Sequence, residues 1–136
     1  MARYGMTTTL KGSIEAVRSR VTDALKAEGF GILTEIDVQK TLKEKIGAEL
    51  EPYLILGACN PKLAHQALSA DRSIGLLLPC NVTLRAVAGG VEVSILDPEA
   101  MFSVVDDESK AALGTLPAEA KRLLTAAVRR LDAAQA

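Results

Sequence analysis

From Ile14 onward, apolar residues return at intervals of three and four. Val17, Val21, Ala24 and Leu25 share one face, while Glu15, Arg18, Arg20, Asp23 and Lys26 point away from it. That period predicts an amphipathic helix over Ser13–Glu28, with Ser13 as N-cap and Gly29 in the glycine-favouring position after the last turn. A second stripe near the end carries Ala120, Leu123, Leu124, Ala127, Val128 and Leu131, with Lys121, Arg122, Arg129 and Arg130 largely outside it. It predicts a closing helix over Pro117–Ala133. Each helix has a single apolar stripe to bury, so both are expected on one face of a sheet.

The strands are shorter. Tyr4–Leu10 is rich in β-branched Thr, and Phe30–Ile36 follows the first helix. Pro52–Cys59 is continuously apolar, as expected of a strand buried on both faces. Val82–Val87 and Val91–Leu96 alternate around Gly89-Gly90 and form the clearest hairpin. Three short helices fill the gaps. Asp37 caps one that carries Val38, Leu42 and Ile46 on a single face, and Asn60-Pro61 opens one over Pro61–Ala70. A third lies near Asp106–Leu113, where the adjacent acids Asp106, Asp107 and Glu108 make a solvated loop and helix cap. The apolar run Ile74–Leu78 has two layouts. It is either a strand parallel to Pro52–Cys59 after a right-handed crossover, or part of an antiparallel strand from about Leu76 to Val87. These elements predict one α+β domain over residues 1–136 with about five strands.

Composition narrows the function classes. Of the 136 residues 49% are hydrophobic, enough for a core, and the near-cancelling charges (16 Lys+Arg against 17 Asp+Glu) argue against a nucleic-acid or polybasic membrane partner. Aromatics are 3% with no Trp, so stacking platforms for bases are missing. No apolar leader or membrane-length run occurs, and a cytoplasmic location with reduced cysteines is expected.

Phosphate loops, nucleophile elbows and Cys-x-x-Cys pairs are also missing. What remains is one pattern written twice. Ala58-Cys59-Asn60-Pro61 and Leu78-Pro79-Cys80-Asn81 each set a Cys-Asn pair beside proline at the end of an apolar stretch. In both layouts of Ile74–Leu78 the two thiols approach one edge of the sheet. Cys59 precedes a helix N-terminus, whose positive end favours a thiolate, and Asn60 and Asn81 offer amide donors. His65 is the one histidine and borders the stripe of Leu63, Ala64, Ala67 and Leu68. The plainer alternative makes Cys59 and Cys80 packed core thiols, Asn60 a helix cap, Asn81 a turn residue and His65 a solvated side chain. Cys59, His65 and Cys80 together would offer soft metal ligands, but their spacing fits no standard pair and neither metal nor cofactor is expected.

Leu56-Gly57-Ala58-Cys59-Asn60-Pro61, Ala64, Ala67-Leu68, Ile74–Val82 and Leu96-Asp97-Pro98 resemble the domain-of-unknown-function family 302, and the resemblance spans nearly the whole chain. It implies a TATA-binding-protein-like α+β fold, β-α-β opening onto an antiparallel sheet with a closing helix, and a homodimer. It implies no activity, and it draws attention to Cys59, Asn60, Pro61, Pro79, Cys80 and Asn81. Two functions follow as expectations. One is a small-ligand-binding or thiol-redox module whose pocket holds Cys59, Asn60, His65, Cys80 and Asn81. The other is a non-catalytic dimeric interaction module that pairs through its closing helix or the edge of the Val82–Leu96 hairpin. Whether any reaction is catalysed stays open, since His65 is the one obvious acid–base group near a thiol.

Overall fold

The structure, a computed structural model, describes residues 4–134. Short polar side chains start its helices. Ser13 Oγ accepts the Ala16 N–H (3.1 Å) at the head of α1 (Ile14–Ala27), and Asp37 Oδ1 accepts the Lys40 N–H (3.0 Å) at α2 (Val38–Ile46). Asn60 Oδ1 accepts the Leu63 N–H (3.2 Å) at α3 (Pro61–Ala70), whose first residue is proline. Each such bond satisfies one of the backbone donors that a helix start leaves without a partner. Asp97 and Asp106 do the same for α4 (Pro98–Phe102) and α5 (Asp107–Leu113). The closing helix α6 covers Leu116–Ala133.

Five strands form one sheet: β1 (Gly5–Leu10), β2 (Gly31–Asp37), β3 (Tyr53–Cys59), β4 (Cys80–Val87) and β5 (Gly90–Leu96). Their spatial order is β1-β5-β4-β3-β2, and every neighbouring pair is antiparallel. The fold is therefore α+β, as the hydrophobic pattern predicts. Two expectations are corrected. The Val82–Leu96 hairpin has no free edge, because β4 and β5 lie inside the sheet and β1 and β2 form its borders. The parallel layout of Ile74–Leu78 also fails. Arg72–Leu77 is a 3-10 turn, started by the Asp71 carboxylate accepting the Ser73 N–H (2.9 Å) and continued by the Ile74 N–H donating to the Asp71 carbonyl (3.1 Å). In this turn Ile74 is buried while Leu76 is 89% exposed, so the apolar run does not mark a strand.

Helices α1 and α6 cover one face of the sheet. Val17, Val21 and Leu25 of α1 and Leu124, Ala127 and Leu131 of α6 share a core with Leu56, Val82, Leu84, Val93 and Ile95. The opposite face is more polar: Thr7 and Ser94 hydrogen-bond across β1 and β5 (2.9 Å), and Arg85 lies between Glu51 and Glu92. β3 is accordingly buried at Leu56–Ala58 but only half-buried at Tyr53–Ile55, short of the two-sided burial expected for it. A second, smaller core joins Ala67 of α3, Ile74 of the 3-10 turn, Phe102 of α4, Leu113 of α5 and Leu116 of α6.

Gly57 meets two neighbours on the outer face. A Cβ there would overlap Thr34 Oγ1 and stand 2.6 Å from Pro79 Cγ. The threonine has a rotamer to yield with, whereas the proline ring is held where the chain enters β4. Gly57→Ala is expected to lower unfolding stability by about 1–3 kcal/mol, the usual cost of overpacking, measured by urea unfolding. An unchanged midpoint would show that Pro79 gives way freely.

Candidate functional site

The β3–β4 register sets the site. Ala58 stands opposite Cys80 and Gly57 opposite Asn81, so the two strands bring Cys59 and Cys80 to the same end of the sheet. Beyond that end Asn60 turns the chain into α3, while Pro98 begins α4 directly after β5. Between the sheet end, α3, α4 and α6 lies a cleft lined by Cys59, Asn60 and Cys80 together with Phe30, Leu63, Met101, Phe102 and Leu124. Its volume is about 40 Å³ and its walls are almost wholly apolar. A water needs about 10–15 Å³ of such space and several polar partners. The cleft thus has room for a few heavy atoms and little to hold water with.

Neither thiol is activated. Burial pushes the Cys80 thiol up to about 12, and the negative charge of Asp97 adds to the shift. The Cys80 Sγ lies 3.6 Å from the Leu96 carbonyl oxygen, to which it donates. Cys59 is half-buried and is also raised, by desolvation. The positive end of α3 therefore does not prevail over desolvation at Cys59, contrary to the expectation of a favoured thiolate. Both cysteines are free.

Asn60 borders the cleft, with its carboxamide oxygen engaged in capping α3. The other two candidates lie elsewhere. Asn81 is exposed, one residue beyond buried Cys80, because successive residues of a strand face opposite sides of the sheet. His65 is exposed on α3 and borders a separate surface depression with Gln66, Ser69 and Ala112. Its position, four residues after Pro61, turns it off the stripe that reaches the cleft. No group of three His, Cys, Asp or Glu side chains among the described residues is placed to hold a metal ion.

Sequence reasoning missed the apolar wall from α4 and α6. Phe30 and Phe102 are the two phenylalanines of the chain, and both line the cleft. In a chain with so few aromatics, their positions just before β2 and just after Asp97-Pro98 were the available signal.

The family profile described as "Domain of unknown function DUF302" matches residues 6–131. An uncharacterized conserved DUF302 protein from Bacillus stearothermophilus, solved by crystallography, is similar at 27% identity and a TM-score of 0.84, over 96% of this chain and 99% of that one. No curated protein matches the chain. No helix of the described residues is long and apolar enough to cross a membrane. With nearly its full length matched by the family profile, and with the apolar block around Cys59 and Cys80 inside that match, the chain belongs to the DUF302 family.

Proposed function

We propose that this chain is a binding module for a small apolar ligand, taken into the cleft that Cys59 and Cys80 border. The observation that carries this reading is a half-open cleft at the seam of two hydrophobic cores, walled by Phe30, Leu63, Met101, Phe102 and Leu124 and almost without polar partners. Close packing leaves few such apolar spaces between cores, and one with little to hydrogen-bond water suits an apolar guest. Asn60 is the polar group at the rim and sets the orientation of any guest that has a polar end. The raised thiols count against a redox or nucleophilic role, which requires the thiolate.

Met101 is a built-in reporter. Met101 lines the cleft, whereas Met6 sits on β1 and accepts a hydrogen bond from Thr125 (3.3 Å). Equilibrating the methyl-labelled protein with xenon is expected to give a saturable shift at Met101 and none at Met6. Ala120→Leu, which fills the cleft from α6, is expected to abolish it. No saturable shift at Met101 would overturn the reading.

The thiols give a second check. A thiol reacts as its thiolate, so a raised pKa slows alkylation at neutral pH and moves the rise in rate to higher pH. In the folded chain iodoacetamide is expected to modify half-buried Cys59 before Cys80. The Cys80 rate should keep climbing beyond about pH 10, where an ordinary thiol has levelled off. Mass spectrometry of the two peptides measures both rates, and fast labelling of Cys80 at pH 7 would show an activated thiol instead.

A second reading, a homodimer, is favoured by one observation. On the border strand β2, Leu33 and Ile36 are 68% and 49% exposed, and an unpaired apolar edge is a template for another strand. Sedimentation is then expected to show a concentration-dependent dimer that Leu33→Lys dissociates. A monomer at high micromolar concentration would remove this reading.

A further inference from the structure

The cleft, half open to solvent, has room for only a few heavy atoms, yet one of its walls belongs to a separate and much smaller core. Among the described residues the main core contains seventeen buried residues and the second only five. The second core holds α4 and α5, helices of five and seven residues that are too short to persist without packing. Phe102 and Met101 project from α4 into the cleft, so movement of α4 would withdraw both.

Both ends of this segment are defined. At its start, Lys121 of α6 pairs with Asp97 (3.1 Å) and Glu99 (3.4 Å), which ties the head of α4 to the closing helix. At its end, Gly114 has φ +59°, and a Cβ there would meet nothing within 4 Å. Gly114 is exposed, caps the end of α5, and as glycine can change its backbone angles at less steric cost than any other residue. Between the two ends, Ser109 is the one buried polar residue among those described. Its hydroxyl donates to Asp71 Oδ2 (3.0 Å), joining α5 to the segment between α3 and the 3-10 turn.

We propose that residues 98–113 act as a lid on the cleft, anchored at Asp97, hinged at Gly114 and latched by the Ser109–Asp71 hydrogen bond, so that opening admits an apolar ligand larger than the closed volume. The proposal rests on the reading of the cleft as an apolar binding site. The latch joins α5 to the end of α3, and its acceptor is ionised. The Ser73 backbone N–H and the Ser109 hydroxyl hold the Asp71 carboxyl below its ordinary value. Local opening of this kind belongs to regions with few buried apolar contacts, as the second core has beside the first.

Two probes separate the lid from the cleft. Xenon is small enough for the closed space, and naphthalene is not. Xenon is expected to shift the Met101 methyl equally in the wild type and in Ser109→Ala. Naphthalene is expected to associate about tenfold faster with Ser109→Ala, the factor that one hydrogen bond to a charged group supports. Hydrogen exchange of the wild type gives an independent reading that survives if the variant fails to fold. Amides of 98–113 are expected to exchange as a group, faster than those of β4 and β5, and to be slowed by naphthalene. Xenon binding with an unchanged naphthalene rate, or lid amides as protected as β4 and β5, would overturn the lid and leave the cleft reading standing. Absence of any xenon shift would overturn both.

Discussion

The pairing of β3 with β4 is the constraint on which the rest of the molecule depends. With Ala58 opposite Cys80, Leu54, Leu56 and Ala58 share a face with Leu84, Val82 and Cys80, and that face meets α1 and α6. Side chains alternate with a period of two, so a slip of one residue would turn this whole set outward. Gly57 reinforces the register from the other side, since only a residue without a Cβ fits against Thr34 and Pro79. The same register brings two chain reversals together: Asn60-Pro61 leaving β3 and Pro79 entering β4. The cleft lies where they meet because no strand continues past that end of the sheet.

Much of this was legible in the residues. Five strands, both long helices and the caps at Ser13, Asp37, Asn60 and Asp106 follow from local chemistry, because a cap or a period of 3.6 depends on near neighbours alone. Ile74–Leu78 departs from both predicted layouts for a physical reason. Five apolar residues in a row carry no period, and a 3-10 turn started by Asp71 buries Ile74 while leaving Leu76 in water. The edge position assigned to the hairpin failed differently. Strand order is a matter of long-range pairing, and nothing within Val82–Leu96 states that β1 returns to cover β5.

The site was partly legible for the same reason. Cys59 and Asn60 mark the end of a strand and Cys80 the start of its partner, so antiparallel pairing alone draws them together. Asn81 stands next to Cys80 in sequence, but adjacency along a strand means opposite faces. His65 was drawn in by chemistry, since a lone imidazole near a thiol invites a role, yet its angle on α3 leaves it in solvent. The wall formed by Met101 and Phe102 is not legible because Glu99–Thr115 has no clear period, and its helices are too short to show one.

That irregular stretch supplies Phe102 and Leu113 to the second core, which is built differently from the first. The main core is closed by a sheet with four strand pairings and by two long helices, so losing any one contact leaves many others. The second core has no sheet. It is held by five buried residues, the Ser109–Asp71 bond and the Lys121 pairs at its head. The Lys121 pairs act at the head alone, which leaves apolar packing and one charge-assisted hydrogen bond to hold the rest of α4 and α5 down. A cleft roofed by the weaker of two cores has a fixed floor and a yielding cover. Cys80, on the floor, shares the stability of the sheet, whereas Phe102, in the cover, shares that of the second core, and the difference between them decides which wall moves when the cleft fills.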